Sequence, residues 1–341
     1  MSGPPEITVI VVAHDRDQFV GEALESVARQ DLDPELFEVV LCTNLPPRDF
    51  RSPAGGVRCL RLDLPAGNWG EWVVAALPHC RGDVLCFLDD DDRFDPRKLS
   101  SVRSVFRRHP SVGYYHNRVQ RFVTDPEARR GPVGVPARPE GPECGLVEDR
   151  RKSRELVDEL FWDEGGFNAS AIAVRRAVLE SLGSLATELE VGHSLALFYA
   201  AAVGTWDLYF EPEALTLYRV HSANSSVPSG SPLREEYLGA VERGGAVVRD
   251  SRRIARFIES HRGRTASAPV RSVGFRTSLL RSLGSPDVSR TQLLRALAEY
   301  LSITPVRIAT DQRGLFVMVA LGLLSPRLPD TWLRGPASGP G

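Results

Sequence analysis

Apolar and polar positions along this chain follow two periods, and the two alternate. Ile7–Val12 is an unbroken run rich in β-branched residues, the pattern of a strand buried on both faces. It stops at "AHDRD". The stretch "FVGEALESVARQ" then sets Phe19, Val20, Ala23, Leu24, Val27 and Ala28 at helical spacing, with Asp15 or Asp17 as the expected N-cap. "FEVVLC" (Phe37–Cys42) predicts a second strand and "VRCLRL" (Val57–Leu62) a weaker third. "EWVVAALPHC" predicts a helix ended by Pro78. "DVLCFL" (Asp83–Leu88) predicts a fourth strand. "PRKLSSVRSVFRRH" predicts a helix starting at Pro96, with Leu99, Val102, Val105 and Phe106 on one face.

Strands alternating with helices imply βαβ units, hence an α/β fold with a mostly parallel, Rossmann-type sheet flanked by helices. Ligands of such sheets bind beyond the carboxyl ends of the strands. The residues at those ends are Ala13, His14 and Asp15, then Thr43 and Asn44, then Asp89 to Asp92. All three groups are polar at their tips and are expected to meet at one crevice.

From Thr124 to Arg151 the periodicity dissolves. Five prolines (126, 132, 136, 139 and 142) predict a flexible flap or insertion. Order returns with "SRELVDELFW" (helix), "SAIAV" (strand), "RRAVLESLG" and "HSLALFYAAAV" (helices), then "WDLYF" and "LTLYR" (strands). Beyond Pro232 the pattern is helical and Arg-rich, with "RRIARFIESHRGR" and "TQLLRALAEYLSI" amphipathic. The expected organisation is an α/β domain over residues 1–231, a helical C-terminal region over 232–328, and a fraying Pro/Gly-rich tail over 329–341.

Composition narrows the classes. A net charge of −2 argues against a nucleic-acid-coating protein. All but two of the 42 basic residues are arginine, the exceptions being Lys98 and Lys152. Arginine grips phosphate bidentately, although coding bias produces the same skew. The five cysteines are odd in number and contain no C-x-x-C pair, which points to a reducing compartment without disulfides or a zinc site. No basic segment precedes the first apolar run, and "LFVMVALGLL" is half the roughly 20 residues of a membrane span. The expected location is cytoplasmic.

The densest chemistry is "FLDDDDRFDP". Four adjacent aspartates repel one another, and a solvated, helix-capping turn would explain them if they stood alone. At the end of a buried strand, beside two other polar strand ends, they instead suit a hard divalent cation, Mg²⁺ or Mn²⁺, bridging to a diphosphate.

"ITVIVVAHDRDQFVGEALESVARQ", "FEVVLCTN" and "GDVLCFLDDDDRFDPRKL" resemble the opening half of a family 2 glycosyltransferase with the GT-A fold, and "LTLYRVHSANSS" resembles its closing segment. The resemblance covers about Ile7–Ser226. It implies metal-dependent, inverting transfer of a sugar from a nucleotide-diphospho-sugar to a hydroxyl of a glycan or lipid-linked acceptor. It implies that Ala13, His14 and Asp15 line the nucleotide pocket, that Asn44 faces the base, and that Asp89, Asp90 and Asp91 form the D-x-D element. Asp90 would lie near the ribose, while Asp91, with Asp89, and His221 would hold the metal. In "GYYHN", His116 and Asn117 are candidates for the metal side of the cleft, or simply a polar strand end.

Inverting transfer needs a general base, which the family commonly supplies from an E-D pair opening a helix. By register His193 and Ser194 occupy that place, with Glu190 three residues earlier; His193, Glu190 or neither is the base, and Asp163 and Glu164 are outside candidates. Two rival readings stand. A sugar nucleotidyltransferase would carry a Gly-rich loop after the first strand, and "AHDRDQF" has no glycine. A non-catalytic nucleotide- or glycan-binding relative would explain the missing pair. The C-terminal helices either pack on the protein or on a second copy of it, or touch an anionic inner membrane face peripherally.

Overall fold

The computed structural model describes residues 3–46, 56–124, 145–152, 156–157, 160, 168–221, 232–283, 285, 288–303 and 313–324. They fall into two compact units, one of residues 1–124 and 135–220 and the other of residues 125–134 and 221–341. Most of the expected segment "SRELVDELFW", residues 329–341, the candidates Asp163 and Glu164, and most of the proline-rich stretch lie outside the described residues.

In the first unit the described strands form one sheet. They are β1 (Ile7–Ala13), β2 (Phe37–Thr43), β3 (Arg58–Asp63), β4 (Val84–Asp89), β5 (Arg93–Phe94), β6 (Val112–Val123), β7 (Leu146–Val147), β8 (Ile172–Arg175) and β9 (Asp207–Val220). The order is β3-β2-β1-β4-β8-β6-β9-β5, with β7 on β9. The first four strands are parallel and in simple register, Ile7 opposite both Phe37 and Val84. The continuous apolar runs of β1, β2 and β4 are explained by burial on both faces. β8 then enters antiparallel to both β4 and β6, and β6 runs parallel to β9.

Helices α1 (Val20–Ala28), α2 (Trp69–Ala76), α3 (Lys98–Arg108), α4 (Arg176–Ser181), α5 (Leu185–Glu188) and α6 (His193–Val203) accompany the sheet. Residues of α1, α3 and the parallel strands share one core, from Ile7 and Val20 to Leu99 and Phe106. α2 begins with a capping box, in which Asn68 accepts from the Glu71 N–H and Glu71 reaches back to the Asn68 N–H. α1 differs from expectation: its N-cap is Phe19, with no side-chain cap bond. Asp15 is not a cap because it stands in the left-handed region, at φ 57, one turn earlier.

"WDLYF" and "LTLYR" are one strand rather than two. Pro212 has no N–H to give the ladder. The β6–β9 register shifts where Asn117 faces Glu211 and Arg118 faces Ala214, so Pro212 and Glu213 bulge out and the strand continues.

The second unit contains α7 (Pro232–Arg262), α8 (Ala268–Leu283), α9 (Arg290–Ile303) and α10 (Arg313–Leu324). Leu279, Leu280, Leu283, Leu293, Tyr300, Leu315, Met318 and Val319 pack together in a core of their own. Much of the apolar "LFVMVALGLL" is thereby used within the unit. Among the described residues no helix is long and apolar enough to cross a membrane.

Candidate active site

The strand ends meet as expected, and the contacts are specific. β1 ends in Ala13, and the next residues turn back through Asp15. The Asp15 N–H donates to Asn44 Oδ1 at 3.0 Å, and Asn44 Nδ2 donates to Asp15 Oδ1 at 2.6 Å. This reciprocal pair offsets the left-handed backbone of Asp15 and ties the end of β1 to the end of β2. His14 Nδ1 lies 2.9 Å from Asp15 Oδ2, and its ring sits 4.9 Å from that of Trp72 on α2. Ala13, His14, Asp15 and Asn44 are therefore one cluster.

β4 delivers the aspartates. The ladder with β1 extends one residue beyond the strand, the Asp90 N–H donating to Val12 O at 3.1 Å. The chain then turns, with the Asp92 N–H donating to Asp89 O at 3.2 Å. Asp90, Asp91 and Asp92 are all buried. One guanidinium nitrogen, Arg16 Nη2, bridges two of them, at 2.8 Å from Asp90 Oδ1 and 2.9 Å from Asp91 Oδ2. Asp92 is held otherwise: its oxygens accept from the Arg219 N–H at 3.0 Å and from Asn168 Nδ2 at 3.1 Å.

Arg219 is 1 % exposed. Its guanidinium lies between the rings of Phe19 and Phe122, donates to Asp91 O at 2.8 Å and pairs with Glu22 at 2.7 Å. Cation–π contact on both faces compensates for the lost water. Ser170 Oγ accepts from the Asp89 N–H at 3.0 Å, and the Asn168 side chain accepts from the Ser170 N–H at 2.7 Å. The 168–170 corner thus clamps both ends of the aspartate turn.

Burial sets the electrostatics. It raises Asp90 to about 6, with Asp91 adding to the rise and Arg16 opposing it. It raises Asp92 to about 7, with Asp91 adding and Ser170, Arg219 and Asn168 opposing. Asp89 is pushed well above the carboxylate range by desolvation and by its three neighbours. A single shared guanidinium does not neutralise this charge.

A divalent cation is the group implied for such a cluster, and one feature of these residues suits it. Asp90 Oδ2 is buried and makes no hydrogen bond. A buried acceptor without a partner is costly, and a cation would supply the missing contact. Among the described residues no group of three or more His, Cys, Asp and Glu side chains is arranged so that it could hold a metal ion. His221 is buried and follows directly on β9, two residues after Arg219.

His193 opens α6 but is turned inward. Its Nε2 accepts from the Gly70 N–H at 3.2 Å, and its ring lies 5.1 Å from Trp69. Accepting at Nε2 leaves Nδ1 to carry the proton of the neutral ring. Gly70 permits this approach, since a Cβ there would come within 2.8 Å of His193 Nε2, and within 1.8 Å of Ala186 O. Glu190 stands in the preceding loop and is exposed. His116 and Asn117 lie buried on β6, where Asn117 bonds Lys98 and Thr216.

Sequence reasoning assigned no role to Arg16, Arg219, Asn168, Ser170 or Lys98. Lys98 is fully buried under the sheet. Its ammonium donates to Asn117 Oδ1 and to Ala171 O at 3.2 Å, and burial lowers it to about 7. A visible signal was its rarity, one of two lysines among 42 basic residues.

Parallel strand ends converging on buried carboxylates beside a guanidinium mark a candidate ligand crevice at the carboxyl edge of an α/β sheet. The family is then settled by comparison. Residues 8–183 match Glycosyl transferase family 2, and the chain belongs to that family. It is 25% identical over 257 residues to an uncharacterized glycosyltransferase of Haemophilus influenzae, covering 70% of this chain and 79% of that one.

Two solved structures share the fold. S. aureus TarS 1-349, in complex with UDP-GlcNAc, superposes with a TM-score of 0.51 at 15% identity over 87% of this chain and 88% of that one. The mannosyltransferase PcManGT from Pyrobaculum calidifontis, in complex with GDP-Man and Mn²⁺, gives 0.50 at 15% identity over 94% and 88%. The α/β fold with C-terminal helices and glycosyltransferase activity follow.

Proposed function

We propose that this glycosyltransferase moves a sugar, with inversion, from a nucleotide-diphospho-sugar to a hydroxyl acceptor, a glycan or a lipid-linked saccharide, with the help of Mg²⁺ or Mn²⁺. The observation that carries the reading is the buried aspartate turn at the end of β4, bridged by Arg16 and with Asp90 Oδ2 unpartnered. The solved relatives bind UDP-GlcNAc, or GDP-Man with Mn²⁺, which supports a donor of this class.

Asp91, Asp89 and His221 would hold the cation, and the unpartnered Oδ2 of Asp90 would add a contact to it; when bound, the cation supplies positive charge to the diphosphate leaving group. Arg16, freed from Asp90 and Asp91, would turn to the phosphates, for which its planar fork is suited. The Asp15–Asn44 pair and His14 would line the base pocket, and Asp90 the ribose side. In the transfer the acceptor oxygen bonds to the anomeric carbon as that carbon's bond to the diphosphate oxygen breaks. The electron pair leaves with the nucleoside diphosphate, and the acceptor proton passes to a base. Glu190 is the better-placed base, because the Nε2 lone pair of His193 is engaged by Gly70. His193 then acts as a positioning residue for the start of α2.

A thermal-shift panel of UDP, GDP, CDP and dTDP, each with and without Mn²⁺, tests the reading. One base should stabilise the protein, and only with metal. Absence of a shift with every nucleotide, or shifts that ignore metal, would defeat the metal-dependent form. Product configuration at the anomeric carbon, read by NMR, tests inversion separately.

A further inference from the structure

The helical unit contains a cavity of about 390 Å³ between α7, α8 and α9. Gly274 lines it and lets α8 lie close to α7, since a Cβ there would meet Ser251 Cβ at a tight 3.0 Å. The cavity is within the size range of small-ligand sites.

Its lining is chemically divided. Arg252 and Arg256 stand one turn apart on α7, exposed, and neither forms an ion pair among the described residues. Arg271 on α8 lies 3.7 Å from Glu259, which also accepts from Ser267 Oγ at 2.7 Å. Glu299 of α9 has no ion-pair partner among the described residues. Phe275 supplies an apolar wall. Like charges at i and i+4 destabilise a helix slightly, so Arg252 and Arg256 gain nothing from each other.

Two guanidinium forks side by side suit the oxygens of a phosphoester. Carboxylates would repel a phosphate but accept hydrogen bonds from hydroxyls. An aromatic face suits the C–H surface of a short carbon chain or sugar ring. From this division we propose that the cavity is a binding site for a phosphorylated polyol or sugar, its phosphate on Arg252 and Arg256 and its hydroxyls toward Glu259 and Glu299. The site lies within the helical unit and does not depend on the donor reading.

Hydrogen–deuterium exchange of the full chain with glycerol 3-phosphate, inorganic phosphate or glycerol tests this by position. Glycerol 3-phosphate should protect peptides of α7 and α8, inorganic phosphate should do so more weakly, and glycerol should not. In titrations, Arg252→Gln with Arg256→Gln should raise the dissociation constant for glycerol 3-phosphate at least about 10-fold, the size of one lost charged contact pair. Glu299→Gln should weaken glycerol 3-phosphate several-fold and leave phosphate unchanged or tighter.

Protection that avoids α7 and α8 would overturn the proposal, as would unchanged affinity in the double variant. Equal affinity for phosphate and glycerol 3-phosphate would overturn it too. If the double variant unfolds, Arg256→Gln alone carries the same test at smaller amplitude. Phosphatidylglycerol vesicles that displace glycerol 3-phosphate support the site with a lipid headgroup as source. Vesicles that do not displace it support the site with a free phosphoester as source.

Discussion

Two buried charged sites lie on either side of the 168–171 corner, and they are built in opposite ways. At the end of β4, carboxylates crowd together with one bridging guanidinium and an acceptor left without a partner. Behind the corner, the Lys98 ammonium sits alone among neutral oxygens of Asn117, Ser170 and Ala171 and near the rings of Phe94 and Tyr115. The first site is short of positive charge and is suited to an exchangeable cation. The second has its polar contacts met by fixed neighbours and serves architecture. Burial alone does not mark a functional charge; burial with an unmet partner does.

The sharpest break between the two sites is expected at Asp91. Asp91→Asn should lower transfer by about 100-fold or more while leaving the unfolding midpoint nearly unchanged, as loss of a transition-state electrostatic contact does. Steady-state rates with calorimetry check this, and a destabilised but active variant would erase the contrast. Glu190→Gln should fall by a similar factor, and His193→Gln by about 10-fold or less, since a base removes about 10²–10⁴ of rate. If His193→Gln is the more damaged and Glu190→Gln is not, the base is the histidine.

On the architectural side, Lys98→Met should lose about 1–3 kcal/mol by stranding Ala171 O and leaving Asn117 Oδ1 only the long bond from Thr216 Oγ1, with a smaller effect on turnover. Its pH signature has a definite sign. Lys98 falls from its ordinary 10.5 to about 7 in the folded state. Between those values the unfolded chain binds the extra proton, so stability rises as pH increases from about 7 to about 10.5. Lys98→Met should lack that rise, measured by denaturant unfolding across the range.

The smallest effect is expected at Arg16. Arg16→Ala should bind Mn²⁺ several-fold more tightly without donor, because an internal competitor is gone, and bind donor more weakly. Mn²⁺ paramagnetic resonance reads the first effect directly. Weaker metal binding in Arg16→Ala would mean the guanidinium supports the cation site rather than occupying it.

Much of this was legible along the chain for a physical reason. β1, β2 and β4 are central parallel strands, so their apolar runs are continuous and end abruptly in polar residues. The aspartate turn and the pairing of Asp15 with Asn44 both lie at such ends. The insertion of β8 between β4 and β6 was not legible, because pairing across nearly a hundred residues leaves no local period. Nor was the continuity of β9 through Pro212, where a bulge overrides a strand breaker. Arg16 and Lys98 escaped notice because their role depends on which oxygens tertiary structure brings to them. His193 was found by register, yet its direction, inward to Gly70, is settled by packing.

The pairing of β6 with β9 joins Tyr115 to Tyr209, more than ninety positions apart. Arg219 and its backbone N–H, which secure the aspartate turn, arrive at the end of that partner strand. During synthesis the early strands can gather while the carboxylates of β4 still lack their later counterpart. Closing so long a loop is slow. The nascent chain therefore acquires its catalytic geometry only after residue 220 has left the ribosome, and a product truncated before that point is expected to bind nucleotide poorly and to aggregate through the exposed edge of β6.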